Sequence, residues 1–230
     1  MADRLITVVP PQTKFFKNLC ESLGVSNDNP WMSILGLSLG GSVVGTEIDE
    51  SKITPQGCLL MSSLVQFKVS SVQSIVSHAR VLFDHLASAD IESSRFFNDM
   101  GPGRLLQNIM SRESCFPSNM KMKLIRQVLL ADNSVQRVEK LASDKRIGAW
   151  LITTAWDSAD MSTKKDLGAN LLKINGLRDW NWKIWKHCEL ASFSRRNEEW
   201  AQSENRKDKA KSFLRDIVGD DFRSNKKCRM

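Results

Sequence analysis

The sequence predicts an all-α, multi-helix globular protein, and three observations support this prediction. Apolar residues recur at helical spacing through most of the chain, and Pro and Gly are sparse, at 6 and 12 of 230 residues. The β-branched runs are confined to Leu5 to Val9 and Ser42 to Ile48, so at most a minor β element is expected near the N terminus. Hydrophobic residues make up 41% of the chain, which is typical of a protein with a buried core.

Helix signals follow one another along the first hundred residues. The apolar residues from Phe15 to Leu23 have helical spacing and stop at Gly24, a residue that often terminates helices. Asn29-Pro30 and Thr54-Pro55 each match a capping residue followed by proline at the first helical position. The segment from Ser71 to Ala87 carries an apolar stripe of helical period, which predicts one continuous helix.

The remainder of the chain is predicted to be helical with interruptions. Gly101-Pro102-Gly103 is expected to break the chain, and a division into an N-terminal lobe (residues 1–100) and a basic C-terminal lobe (residues 101–218) is predicted there. Helices are predicted to begin after Pro117, at the caps Asp144 and Ser162, and to cover Leu177 to Ala191 and Glu198 to Val218. Residues 219–230 are expected to form a mobile basic tail.

The cysteines indicate the redox compartment. The chain has five cysteines, which are dispersed and never in C-x-x-C spacing, a pattern that fits reduced thiols better than a disulfide framework. The N terminus lacks the apolar core of a signal peptide, and the apolar stretch from Trp31 to Gly45 is too short to span a bilayer. We therefore expect a cytoplasmic or nuclear protein without a transmembrane segment.

Signatures of catalysis are weak. Gly36-Leu37-Ser38-Leu39-Gly40 matches the G-x-S-x-G nucleophile elbow, but too few residues precede it for the strands that such an elbow requires. His78 and His85 are seven residues apart on one predicted helix, yet no cysteine or carboxylate motif beside them completes a zinc site. Neither a Walker loop nor G-x-G-x-x-G occurs. We expect a non-enzymatic protein with no catalytic residue, no metal and no cofactor.

The charge of the chain is unevenly distributed. Residues 1–100 carry 7 basic and 10 acidic side chains, a net charge of −3, whereas residues 101–230 carry 26 basic and 16 acidic side chains, a net charge of +10. Such asymmetry predicts that a polyanion, either a nucleic acid or an anionic membrane surface, meets the C-terminal half. The alternative is a set of scattered, solvated lysines without a common ligand.

Tryptophan and lysine are interleaved in one C-terminal segment. Six of the seven tryptophans fall between residues 150 and 200, and the segment from Arg178 to His187 places Trp182 and Trp185 three residues apart beside Lys183 and Lys186. Aromatic faces next to cations suit base stacking with phosphate neutralisation. The same composition suits an interfacial membrane helix, and a tryptophan-rich core with solvated lysines at its rim is a third interpretation.

The leading hypothesis is binding of RNA or a ribonucleoprotein, mainly through phosphates, by a protein that self-associates. The predicted contacts are Lys121, Lys123, Arg126, Lys145, Arg146, Lys183, Lys186, Lys207, Lys211 and Arg215, with Trp182 and Trp185 as stacking or membrane-interface residues. Acidic residues interrupt the last of these clusters, so a solvated helix face is a second interpretation of it. A helical protein-interaction adaptor and a peripheral membrane protein remain as alternatives.

Two short segments resemble structural proteins of segmented negative-strand RNA viruses. The ending from Lys209 to Val218 resembles the last helix of some bunyavirus nucleocapsid proteins. The opening Val8-Val9-Pro10 and the later Ile53-Thr54-Pro55 resemble an orthomyxovirus matrix protein. The resemblance implies a helical protein that binds RNA or ribonucleoprotein and forms homo-oligomers, and it assigns no functional residue.

Overall fold

The computed structural model describes residues 11–22, 30–36, 48–67, 72–131 and 133–224, and every regular element within them is helical. The prediction of an all-α fold is confirmed for these residues. The run Leu5 to Val9 and residues 42–47 lie outside them. The α-helices are α1 (Pro11–Ser22), α2 (Pro30–Leu35), α3 (Pro55–Leu64), α4 (Gln73–Ser77), α5 (Ala79–Ser88), α6 (Arg95–Asn98), α7 (Met100–Met110), α8 (Ser118–Leu129), α9 (Ser134–Ser143), α10 (Ile147–Ser158), α11 (Met161–Leu172), α12 (Leu177–Trp180), α13 (Trp182–His187), α14 (Leu190–Arg195) and α15 (Asn197–Ser224), and a 3₁₀ turn covers Glu50–Lys52.

Two of the predicted helix caps are confirmed, and one is displaced. The hydroxyl of Thr54 accepts a hydrogen bond from the Gly57 N–H at 3.1 Å, and Pro55 is the first residue of α3. The carboxylate of Asp144 accepts from the backbone N–H groups at the start of α10. The cap of α11 is Asp160 rather than Ser162, because Asp160 has extended backbone (φ −70°, ψ 167°) and its carboxylate accepts from the N–H of Thr163.

Two helices that were predicted to be continuous are interrupted. The segment from Ser71 to Ala87 divides at His78 into α4 and α5. The segment from Leu177 to Ala191 divides into α12, α13 and α14. At the break between α12 and α13, the side-chain oxygen of Asn181 accepts from the N–H of Ile184. The side-chain NH₂ of Asn181 donates to the carbonyl of Ala142, 39 residues earlier. A side chain held by a distant carbonyl fixes a non-helical backbone that the local pattern does not reveal.

Gly101-Pro102-Gly103 forms the first turn of α7 instead of breaking the chain. Proline is tolerated there because the first N–H groups of a helix have no acceptor within it. A Cβ on Gly103 would lie 2.5 Å from the γ2 carbon of Ile147, so the glycine lets α7 approach α10. Buried apolar side chains from Phe16 to Trp200 form one continuous cluster around α7 and α10, so the two predicted lobes share a core.

None of the described helices has both the length and the apolar character needed to cross a membrane. Of the predicted tail, residues 219–224 continue the backbone of α15, and residues 225–230 lie outside the described part of the chain.

Candidate nucleic-acid interface

Helix α13 turns one side into the core and the opposite side outward. Ile184 is fully buried, whereas Trp182 is 54% exposed and Lys183 and Lys186 are exposed. In a helix of about 3.6 residues per turn, Trp182 and Lys186 lie one turn apart on the side opposite Ile184. Trp185 is partly buried and packs against the core. The two predicted stacking residues therefore differ, because Trp182 alone offers most of its ring to solvent.

The ammonium of Lys183 connects this helix to α10. Its Nζ lies 5.6 Å from the ring centroid of Trp150, a half-buried residue of α10, in a cation–π contact. Lys145 and Arg146 are exposed just before α10, and four residues separate Arg146 from Trp150, a rise of about 6 Å along a helix axis. The contact places Lys183 beside α10, the helix that Lys145 and Arg146 directly precede.

We call this surface the basic-aromatic patch. Its members are Lys145, Arg146, Trp150, Trp182, Lys183 and Lys186. Among the described residues, no carboxylate pairs with any of its four cations. Asp144 is the acidic residue closest to them in sequence. Its carboxylate accepts hydrogen bonds from backbone N–H groups at the start of α10. The patch therefore presents positive charge that internal ion pairs do not neutralise.

The predicted cations of α8 lie in different environments. Lys121 is only 7% exposed, and its ammonium donates to the carbonyls of Ser111 and Arg112, each at 3.1 Å, just past the end of α7. Lys123 and Arg126 are exposed. The guanidinium of Arg126 donates to the Thr163 hydroxyl at 2.9 Å, so part of its donor capacity is used within the protein. Lys121 therefore stabilises the C-terminal end of α7, whereas Lys123 faces solvent.

The third predicted cluster lies on α15. Lys207 donates to the carboxylate of Glu189 and to that of Glu204, the latter at 3.0 Å. Partial burial opposes its charge, but hydrogen bonds to the two carboxylates outweigh burial and raise the pKa of Lys207. The side chains of Lys211 and Arg215 lie outside the described residues. Lys207 thus joins α15 to α14, a role that its place in a basic stripe did not indicate.

Two of the six C-terminal tryptophans belong to the core. Trp156 and Trp200 are 3% and 2% exposed, their ring centroids lie 5.8 Å apart, and Phe193 meets Trp200 edge-on at 4.8 Å. The interpretation as a tryptophan-rich core thus describes these residues, whereas Trp182 is a surface residue. The partnership of Lys183 with Trp150 was missed, since no sequence signal links residues 33 positions apart.

The described residues contain no cluster of metal-ligand type. No three His, Cys, Asp or Glu side chains there are grouped as a metal site. Nε2 of His85 lies 2.6 Å from the carboxylate of Glu50, which also accepts from the hydroxyl of Ser94 at 2.8 Å. The serine of the G-x-S-x-G match, Ser38, lies outside the described residues.

Comparison with known proteins shows a likeness in fold to a solved structure. No family model matches the chain, and no curated protein matches it. The chain is similar to a solved structure described as "Structure of APUM23-GGAAUUGACGG", with a TM-score of 0.61 over 84% of this chain and a sequence identity of 13%. The chain spans about a third (35%) of the length of that structure. At this identity the likeness concerns the fold, and the resemblance to viral structural proteins stays a prediction.

Proposed function

We propose that this protein binds single-stranded RNA through the basic-aromatic patch and acts as a binding protein, not as an enzyme. The observation that carries the proposal is an exposed aromatic ring, Trp182, on the same helix as Lys183 and Lys186, whose charges no described carboxylate neutralises. The similar solved structure pairs APUM23 with the RNA sequence GGAAUUGACGG, which supports RNA as the ligand of a similar helical fold.

The chemistry of the patch favours an unpaired strand over a duplex. A base can stack on Trp182 only when its face is free, and the bases of a duplex already stack on each other. Lys186 lies one helical turn from Trp182 on the same side of α13, and Lys183 is the next residue, so both are suited to phosphates close to the stacked base. Lys145 and Arg146 extend the positive surface toward the start of α10. This arrangement recognises a backbone and a base face, so little sequence preference is expected.

The experiment is fluorescence anisotropy of a labelled single-stranded RNA with nuclease-treated, full-length protein at three salt concentrations. We expect binding that weakens with salt. If each of the four patch cations neutralises one phosphate, the slope of log K against log salt is about −3. A duplex of the same sequence should bind more weakly. Absence of binding at the lowest salt concentration would contradict the proposal.

A matched pair of charge reversals tests the position of the site. Lys186→Glu removes an exposed patch cation, and Lys14→Glu makes the same charge change at an exposed position of α1, in the acidic part of the chain. We expect Lys186→Glu to weaken binding and to reduce the salt slope by about 1, because one phosphate contact is lost. Equal losses in the two variants would mean that net charge, and not the patch, governs binding.

An anionic membrane surface is the second candidate ligand. Trp182 and its neighbouring lysines also match the residues that settle at a lipid headgroup layer. Flotation of the protein with anionic liposomes, but not with neutral ones, would favour this alternative, provided that Trp182→Ala abolishes flotation.

A further inference from the structure

The seven tryptophans all lie among the described residues, and the hydrophobic core uses five of them. Those that belong to the core cluster or pack against it are Trp31, Trp156, Trp180, Trp185 and Trp200. Trp150 and Trp182 are not among them, and both belong to the basic-aromatic patch. Aromatic rings beside cations on a protein surface are the arrangement on which the bases of a single strand stack. The core thus leaves two rings at the patch, not one.

The ring of Trp150 is half-buried on α10, and a cation covers one of its faces. The Nζ of Lys183 lies 5.6 Å from the ring centroid. Lys183 is an exposed residue, so its side chain reaches the ring from the solvent side, and the covered face lies at the surface of the protein. No described carboxylate pairs with this ammonium, so the indole ring is the group that holds it there.

The contact between Lys183 and Trp150 is weak enough for a ligand to replace it. A cation–π contact at an exposed site contributes a factor of roughly two to five to an equilibrium constant, whereas stacking of one base on an aromatic side chain contributes roughly five- to 150-fold. The ammonium that leaves the ring can pair with a phosphate of the same strand. Replacement of the lysine by a base therefore provides both the ring and the ammonium with a new partner.

Trp150 and Trp182 are close enough to serve one strand. Lys183 follows Trp182 in the chain, and its ammonium lies over the ring of Trp150. Consecutive Cα atoms are about 3.8 Å apart and a lysine side chain reaches about 6 Å from its Cα, so the Cα of Trp182 lies within roughly 16 Å of the Trp150 ring centroid. A strand of a few nucleotides covers this distance.

We propose that Trp150 is a second stacking platform for single-stranded RNA, which Lys183 covers in the free protein and uncovers when the strand binds. This role depends on the RNA-binding function proposed for the patch. One base stacks on Trp182, a nearby base takes the place of the Lys183 ammonium on Trp150, and the ammonium moves to a phosphate of the strand. The ligand is thus a segment with at least two unpaired nucleotides close together.

Two substitutions of Trp150 separate the effect of an aromatic face from that of an apolar side chain. Trp150→Phe keeps an aromatic face, and Trp150→Leu replaces it by an aliphatic side chain. In anisotropy titrations with labelled single-stranded RNA, we expect Trp150→Leu to raise the Kd about tenfold and Trp150→Phe to raise it about twofold, with an unchanged salt slope in both. Phe67→Leu removes a half-buried ring outside the patch and should bind like the wild type.

Thermal melts of the variants verify that each is folded. Wild-type affinity in Trp150→Leu would overturn the second platform, and so would equal losses in the Leu and Phe variants.

The position of the Lys183 side chain gives an independent measurement by NMR spectroscopy. The ring current of Trp150 should shift the ε-methylene protons of Lys183 upfield in the free protein, and Lys183→Gln identifies their signal. Trp150→Leu should abolish the shift, and saturation with RNA should abolish it too. RNA binding that leaves the shift unchanged would overturn the second platform and leave the proposed function standing. Absence of RNA binding by the wild-type protein would instead reject the proposed function, and the second platform with it.

Discussion

The ammonium of Lys164 lies 2.5 Å from Oε2 of Glu204, and the two side chains are only 2% and 8% exposed. The other oxygen of Glu204 accepts from Lys207 at 3.0 Å, and Asp208 lies 3.6 Å from Lys164. These contacts join α11 to the first half of α15, on which the Trp200 ring is also buried. The position of the last helix therefore depends on a buried, fully paired carboxylate.

Removal of one member of this buried pair should destabilise the fold. Lys164→Met leaves Glu204 buried with Lys207 as its remaining cation, and we expect a loss of about 3 kcal/mol in the free energy of unfolding. The double variant Lys164→Met, Glu204→Leu should recover most of this loss, because no buried charge is left unpaired. Urea denaturation measures both effects, and Lys165→Met, at an exposed neighbouring position, serves as the control. Equal stability of Lys164→Met and the control would contradict the expectation.

The same carboxylate should make stability depend on acid pH. Burial opposes the ionisation of Glu204, but hydrogen bonds from Lys164 and Lys207 outweigh it and lower its pKa from the ordinary 4.5. The stabilisation is therefore fully present above about pH 4.5 and is lost as the pH falls through the lower, folded-state pKa. Subtracting the unfolding free energy of Glu204→Gln from that of the wild type, at several pH values, isolates this contribution. A difference that does not shrink on acidification would be inconsistent with this sign.

Trp182 and the lysines beside it should contribute to RNA binding in separable ways. Trp182→Ala removes a stacking ring without removing charge, so we expect a loss of about 1–3 kcal/mol in binding free energy with an unchanged salt slope. Leu59→Ala, which truncates an apolar residue of α3 that is 68% exposed, is the control outside the patch. Anisotropy titrations at several salt concentrations distinguish the two quantities. A changed slope in Trp182→Ala would mean that the ring orders the cations and does not stack on a base.

Close packing of α9 against α10 should make Gly148 intolerant of a side chain. A Cβ on Gly148 would lie 2.0 Å from the carbonyl oxygen of Leu141, so Gly148→Ala should cost about 1–3 kcal/mol of stability. Gly101 provides the comparison, because its Cβ would lie 3.6 Å from the Cβ of Cys58, an ordinary contact. Gly101→Ala should stabilise the protein by up to about 1 kcal/mol, since alanine favours the helix. Thermal melts of both variants should move in opposite directions.

Local chemistry made several helix ends predictable from the sequence. Thr54 and Asp144 cap α3 and α10 because a short polar side chain needs only the next few backbone N–H groups to do so. The break at Asn181 escaped prediction because its amide is held by the carbonyl of Ala142, a partner that no local pattern specifies. The glycines beside Pro102 were misread as a chain break for a related reason. Gly103 serves a contact with Ile147, 44 residues further along the chain.

The sequence by itself determined the helical class, the caps of α3 and α10 and the concentration of positive charge in the C-terminal part, because each can be read from residues close together in the chain. Only the tertiary structure decided which cations remain available. Lys121 and Lys207 are used within the fold, whereas Lys183 and Lys186 are exposed beside Trp182. The physical reason is that burial and pairing depend on residues far apart along the chain. A lysine in a sequence has the same charge in either environment, and its neighbours in space decide whether that charge can reach a ligand.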